Sequence, residues 1–123
     1  MAVAKNNSAI FFIKYWLPAI IYSIIIFYIS SQPGNQLPDL FLGQDIIFHI
    51  IEYGIFALFI SRALKHSLPK QSYLKRIFFS CIMLSVYAIT DEIHQAGVPY
   101  RDASVWDVVV DAIGGFVGSL VYR

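Results

Sequence analysis

The sequence predicts an all-α protein built as a four-helix transmembrane bundle, and three observations carry that prediction. The chain of 123 residues is 58% apolar and only 14% charged, against roughly a quarter charged in an average soluble domain. Its mean hydropathy of +0.63, with 10 Phe, 8 Tyr and 2 Trp, exceeds what one small core hides from water and makes the bilayer its natural solvent. Four mostly apolar stretches approach the ~20 residues that a membrane-crossing helix needs, separated by polar breaks. No internal repeat, low-complexity tract or second composition divides the chain, so residues 1–123 read as one membrane domain.

The first span, residues 15–31, stops at Gln32-Pro33-Gly34. Lys5 and Lys14 precede it as in a secretory signal, but no small-x-small cleavage pattern follows, so it is expected to stay as an anchor. Pro18 fits as an early-turn residue. The second span is residues 46–64. The third, residues 77–95, is purely apolar only to about Ile89 and then carries Asp91, Glu92, His94 and Gln95. The fourth, residues 105–122, follows Ser104 and Asp107 at the spacing of a capping box. It also contains Gly114-x-x-x-Gly118, a small-residue pattern expected to let helices touch within the bundle. The one cysteine, Cys81, lies in an apolar run, allows no internal disulfide, and is expected to pack as a small hydrophobe.

Basic residues set the expected orientation, because Lys and Arg in short loops remain on the cytoplasmic side. Arg62, Lys65, Lys70, Lys75 and Arg76 flank a middle loop without acids, which places that loop inside. With four spans both termini are then inside, and Lys5, Lys14 and Arg123 agree. Arg101 is the exception. Tyr15, Trp16, Tyr73 and Tyr122 fit an inner aromatic belt, and Tyr28, Tyr100 and Trp106 an outer one. A net charge of +1 gives no basic excess, so nucleic acid is not an expected partner.

Under this topology all eight acids, Asp39, Asp45, Glu52, Asp91, Glu92, Asp102, Asp107 and Asp111, fall on the outer half. The positive-inside effect concerns Lys and Arg and does not explain that segregation. Ionisable groups within a span cost about 2.5–3.5 kcal/mol each on insertion scales, and they persist where they face the bundle interior or a watery cavity. Helical spacing points to one shared pocket opening outward. Asp45, His49 and Glu52 lie on one face of the second span, Asp91, His94 and Gln95 on one face of the third, and Asp107 and Asp111 on one face of the fourth. Asp111, one turn and about 6 Å deeper than Asp107, is the expected floor. The loop 96–104 lays Pro99 and Arg101 across the mouth. His49 or His94, taken alone, is as readily a hydrogen-bonded interior histidine as a functional one. Asp39 and Asp102 read as loop or capping groups, and helix starting alone would account for Asp107, which is otherwise a site candidate; capping does not explain Asp111.

These residues resemble the VanZ-like family of small bacterial membrane proteins, named after a protein that accompanies glycopeptide resistance and raises tolerance to teicoplanin. The resemblance covers residues 44–118. Asp45-Ile-Ile-Phe-His49-Ile-Ile-Glu52-Tyr53 is similar to the family's Asp-Lys-x-x-His-x-x-x-Tyr. Asp91-Glu92-x-x-Gln95, then Pro99-x-Arg101, Asp107-x-x-x-Asp111 and Gly114, is similar to Asp-Glu-x-x-Gln, Pro-x-Arg, Asp-x-x-x-Asn and a following Gly. Ile46 stands where a lysine is usual and Asp111 where asparagine is frequent, which makes this pocket more acidic than the pattern. The resemblance implies a cell-envelope role at the outer face of the cytoplasmic membrane, without bringing a reaction.

The candidate catalytic residues are thus Asp45, His49, Glu52, Asp91, Glu92, Gln95, Arg101, Asp107 and Asp111. One expected function is an enzyme or binder acting on a lipid-linked or cell-wall precursor. Crowded carboxylates in a partly dry site cannot all ionise, so Glu52 or Asp111 is the expected general acid. His49 would act as base or orient one, and Arg101 would grip an anionic headgroup or carboxylate. A divalent metal is an alternative occupant, held by His49 and Glu52 with Asp91 and His94, an arrangement like that of helical-bundle metal sites. A proton-coupled transporter is opposed by the apolar inner halves of the spans, which continue no polar stripe. A non-catalytic partner-binding or precursor-shielding protein needs binding alone and remains the third expectation.

Overall fold

The computed structural model describes residues 2–123, with side chains from residue 7 onward; the Lys5 side chain, counted above among the inner cations, lies outside the described ones. Among the described residues there is helix and no strand. The helices are α1 (Ala2–Tyr15), α2 (Leu17–Ser30), α3 (Gln44–Ser67), α4 (Tyr73–Gln95) and α5 (Val105–Val121), with a 3-10 turn at Gly34–Gln36.

Helices α3 and α4, with 24 and 23 residues, reach about 36 and 34 Å at ~1.5 Å per residue, enough for a hydrocarbon layer of about 30 Å. Both are also apolar enough to cross it. The first expected span differs. Its helix α2 is preceded by α1, and the two meet at a 41° bend, so they make a third candidate span only as a bent pair. The cause is local. Pro18 in the first turn of α2 has no N–H, which leaves the Lys14 carbonyl without its helical donor. The Arg62 guanidinium on α3 fills that vacancy at 2.8 Å. The fourth expected span also differs: with 17 residues α5 is at the short end of the spanning range and is not among the helices long and apolar enough to cross, which number two among the described residues, or three with the bent pair.

The bundle centres on α3 packed against α5. A Cβ on Gly114 would sit 2.6 Å from the carbonyl oxygen and 2.9 Å from the Cα of Ile50, and one on Gly118 would strike the Gly54 carbonyl and lie 2.8 Å from the Ala57 Cβ. The two helix backbones therefore touch, as the small-residue pattern predicts. Around this seam lie Tyr53, Phe56, Ala57, Ile60 and Leu64 of α3 with Leu84 and Ala88 of α4. Deeper along the bundle one polar cluster ties three helices together: Ser80 bonds Ser119 at 2.8 Å and faces Ser61 at 3.4 Å. Buried hydroxyl pairs of this kind hold helices where lipid supplies no hydrophobic drive between them.

The two ends of the bundle differ in charge. At one, Arg62 and Lys14 flank the Tyr15 ring, which stacks on His66 at 4.0 Å. Nearby, Lys65 lies over Tyr122 and bonds the Arg123 carbonyl at 2.6 Å. Trp16 donates to Ser67 there, and Tyr73 to the Leu120 carbonyl. The start of α3, the end of α4, the start of α5 and the loops 31–43 and 96–104 form the other end, with the acids.

Overpacking a touching seam costs about 1–3 kcal/mol. Gly118→Ala is therefore expected to destabilise the protein by that amount in reversible unfolding from detergent micelles. Gly97→Ala, whose Cβ would meet nothing closer than 3.5 Å, should stay within about 0.5 kcal/mol of wild type.

Candidate functional site

At the acid-rich end two cavities share a wall. The first is a cleft of about 360 Å³ between α2 and α3. Tyr22, Ile26, Ile29 and Ser30 of α2 line one side, Phe48, Ile51 and Glu52 of α3 the other, and Asp91 of α4 closes the back. The second is a polar vestibule of about 580 Å³ bounded by Asp39, Tyr100, Asp102, Ser104 and Asp107. Asp45, His49, Gln95 and Arg101 line both.

His49 and Asp111 meet across the α3–α5 seam, Nδ1 to Oδ1 at 2.7 Å, with the aspartate side chain only 1% exposed. An ionised carboxylate only accepts, so Nδ1 carries the proton and Nε2 is the ring nitrogen left for another partner. Asp111 lines neither cavity; it lies behind His49 and fixes the ring. Its Oδ2 makes no further bond among the described residues, and neither does the Oδ1 of buried Asp91. Gln95 donates to the other Asp91 oxygen at 3.2 Å, which aligns these two α4 residues one turn apart.

Arg101 forms no ion pair within 4.0 Å among the described residues, although acids surround it. It spends its guanidinium on backbone, donating from Nε to Gln32 O at 3.1 Å and from Nη2 to Ile29 O at 2.9 Å. These contacts cap the end of α2 and fasten the loop after it across the mouth. Gly34 continues the strap: its N–H donates to Pro99 O at 3.1 Å, and a Cβ there would collide with the Tyr100 carbonyl.

The expected capping box is split. Ser104 does cap α5, accepting from Trp106 N at 3.1 Å, but its own N–H goes to Glu92 Oε2 at 2.9 Å instead of to Asp107. Glu92 thus starts α5 from the side of α4 and lines neither cavity, whereas Asp107, released from the reciprocal role, lines the vestibule. His94 also stands apart. Its Nε2 lies 2.9 Å from Ser31 Oγ and its ring stacks on Phe27 at 4.3 Å. Helical period explains this, because at 3.6 residues per turn His94 and Gln95 point about 100° apart. With His94 turned toward α2, no group of three or more His, Cys, Asp and Glu side chains able to hold a metal ion forms among the described residues.

Of the nine candidate residues, Asp45, His49, Glu52, Asp91, Gln95, Arg101 and Asp107 face one or both cavities, Asp111 supports His49, and Glu92 serves the helix start. Three contributors carry no ionisable signal in the sequence. Ile26 and Ser30 bring α2 into the cleft as a wall. Gln44, buried at the start of α3, accepts from Leu40 N and donates to Pro38 O, each at 2.6 Å, and so folds the loop that both cavities share. Only the position of Gln44 just before the Asp45 block hinted at it.

No curated protein and no solved structure matches the chain. The VanZ/LLP1 family profile matches residues 12–123, which takes in α2 to α5 and every residue of the two cavities. A match over that much of the chain makes this a helical membrane protein of the VanZ/LLP1 family.

Proposed function

We propose that the chain is a single domain crossing the bacterial cytoplasmic membrane four times, at about residues 15–31, 46–64, 77–95 and 105–122. In this arrangement both termini are cytoplasmic and the cleft and vestibule open to the extracytoplasmic face. Support comes from the separation of charge: the short loop between α3 and α4 and the helix ends beside it carry Arg62, Lys65, Lys70, Lys75 and Arg76 and no acid, whereas the acid-rich end holds one arginine, and such bias orients membrane helices.

The function proposed for this face is to bind a lipid-linked or cell-wall precursor and to modify or shield it, which raises tolerance to glycopeptides such as teicoplanin. One observation carries this: the Asp111-oriented His49 stands on the wall common to a polar and an apolar cavity, which it shares with an arginine that has no acidic partner within 4.0 Å among the described residues. Arg101 suits an oxyanion of the precursor. His49, with one nitrogen fixed by Asp111, suits transfer of a proton at the other. Shielding alone requires the cavities and not the imidazole, so His49→Gln separates the two modes.

Sidedness is tested in a Cys81→Ser background. Asp102→Cys should react with an impermeant maleimide on intact cells, and Gln71→Cys only after permeabilisation; the reverse pattern contradicts the orientation. In a host whose teicoplanin tolerance rises on expression of the protein, Glu52→Gln, Asp91→Asn, Arg101→Gln and Asp107→Asn should each return tolerance to the empty-vector level while the variant accumulates in membranes as wild type does. Unchanged tolerance in all four removes these residues from the function.

A further inference from the structure

The cation-rich end of the bundle has no counter-charge of its own. All eight acids of the chain lie at the opposite end, and so does the one ion pair within 4.0 Å among the described residues, His49 with Asp111. Where α1, α2 and α3 meet, basic side chains are nonetheless gathered round one ring. Lys14 Nζ and Arg62 Cζ lie 5.3 and 5.0 Å from the centroid of Tyr15, and His66 stacks on the same ring. Attraction to the aromatic face holds the cations there against their mutual repulsion. Arg62 is fixed further by its bond from Nη1 to the Lys14 carbonyl at 2.8 Å. That bond sets the plane of the guanidinium and leaves its Nε–Nη2 edge without a partner among the described residues, and this edge is a fork that matches two oxygens of a phosphate. Arg62 is half-buried, and Lys14 and His66 beside it are exposed, so the cluster is open from outside. The Tyr15 ring and the Trp16 indole, which bonds Ser67, set this corner at the depth of an aromatic belt, where lipid headgroups lie.

We infer that this corner binds an anionic phospholipid by its phosphate, with two phosphate oxygens on the Nε–Nη2 edge of Arg62, Lys14 alongside, and the acyl chains along α2. Helix α2 is what favours a lipid over a soluble phosphate ester: it leads away from the cluster with Ile20, Ile21 and Ile24 exposed, an apolar strip next to the phosphate position. Anionic headgroups are preferred to zwitterionic ones, because a choline or ethanolamine beyond the phosphate would meet further cations and no acid. General attraction of Lys and Arg to an anionic surface adds to this, but the anchored fork makes one position in the cluster specific. A phosphate held by both Lys14 and Arg62 ties α1 to α3 across the 41° bend, as the bond from Arg62 to the Lys14 carbonyl does from within the chain. The orientation proposed above assigns the lipid to the cytoplasmic leaflet; the site itself depends neither on that orientation nor on the function proposed for the other end, which His49 places thirteen positions and about 20 Å away along α3.

The test is native mass spectrometry of the full chain in non-ionic detergent micelles, which have no sides, with equal amounts of dioleoyl phosphatidylglycerol and dioleoyl phosphatidylcholine. Phosphatidylglycerol adducts are expected to outnumber phosphatidylcholine adducts at least about 5-fold, roughly the effect of one well-placed cation at an anionic surface. Lys14→Gln changes an exposed side chain that makes no hydrogen bond, and Arg62→Lys keeps the charge and removes the fork. Each should bring the ratio below about 2-fold, whereas Lys70→Gln, on the loop between α3 and α4, should leave it as in wild type. Glycerophosphoglycerol, the same headgroup without chains, should not displace the lipid. Equal retention of the two lipids by wild type, or a ratio unchanged in both Lys14→Gln and Arg62→Lys, would overturn the inference. So would a loss in Lys70→Gln equal to that in Lys14→Gln, which means diffuse surface charge, or displacement by glycerophosphoglycerol, which means a site for soluble phosphate esters.

Discussion

Backbone contact between α3 and α5 is the constraint on which the remaining structure depends. With Gly114 against Ile50 and Gly118 against Gly54 and Ala57, the helices approach as closely as their main chains allow, and their register is fixed because only glycine fits there. One turn above Gly114, the same register sets Asp111 against His49. A bulkier pair of interfaces would hold these two side chains apart and leave a carboxylate stranded in a dry interior, which costs several kcal/mol. The site chemistry is therefore a consequence of the glycine seam.

Around that seam the ionisable groups divide into those that hold the fold and those released for a ligand. Glu92 takes the Ser104 amide and starts α5, which frees Asp107. Arg101 takes two carbonyls at the α2 end, and thereby fastens the loop after α2 while its charge stays uncancelled by any ion pair among the described residues. Gln95 orients Asp91 and Asp111 orients His49. Gln95 thus keeps Asp91 in place at the back of the cleft, and the oxygens of Asp91 and Asp111 without partners among the described residues mark where polar capacity remains unused inside the bundle.

Much of this was legible in the sequence because it follows from local period. Apolar runs located α2, α3, α4 and α5, the Gly-x-x-x-Gly spacing located the seam, and i, i+4 spacing put Asp107 and Asp111 on one face. What was not legible depends on register between helices. The pairing of His49 with Asp111, over 62 positions of sequence separation, is set by how α5 slides along α3. The diversion of Ser104 N to Glu92 overrode a capping box that the local motif predicted correctly in part. Helix α2 carries no charged residue, so nothing in its composition distinguished a cleft wall from an anchor. At the bend, the Lys14 carbonyl that Pro18 leaves without a donor accepts from Arg62, 48 positions further along the chain.

The dependence of the site on the seam is tested most directly by a double-mutant cycle on stability with His49→Gln and Asp111→Asn. Buried, charge-assisted contacts of this kind couple by about 1–3 kcal/mol. Coupling in that range is expected in the wild-type seam, with its loss when the cycle is repeated on Gly118→Ala. Additive effects of the two substitutions, within about 0.5 kcal/mol in the unaltered seam, would contradict the contact at the centre of the site.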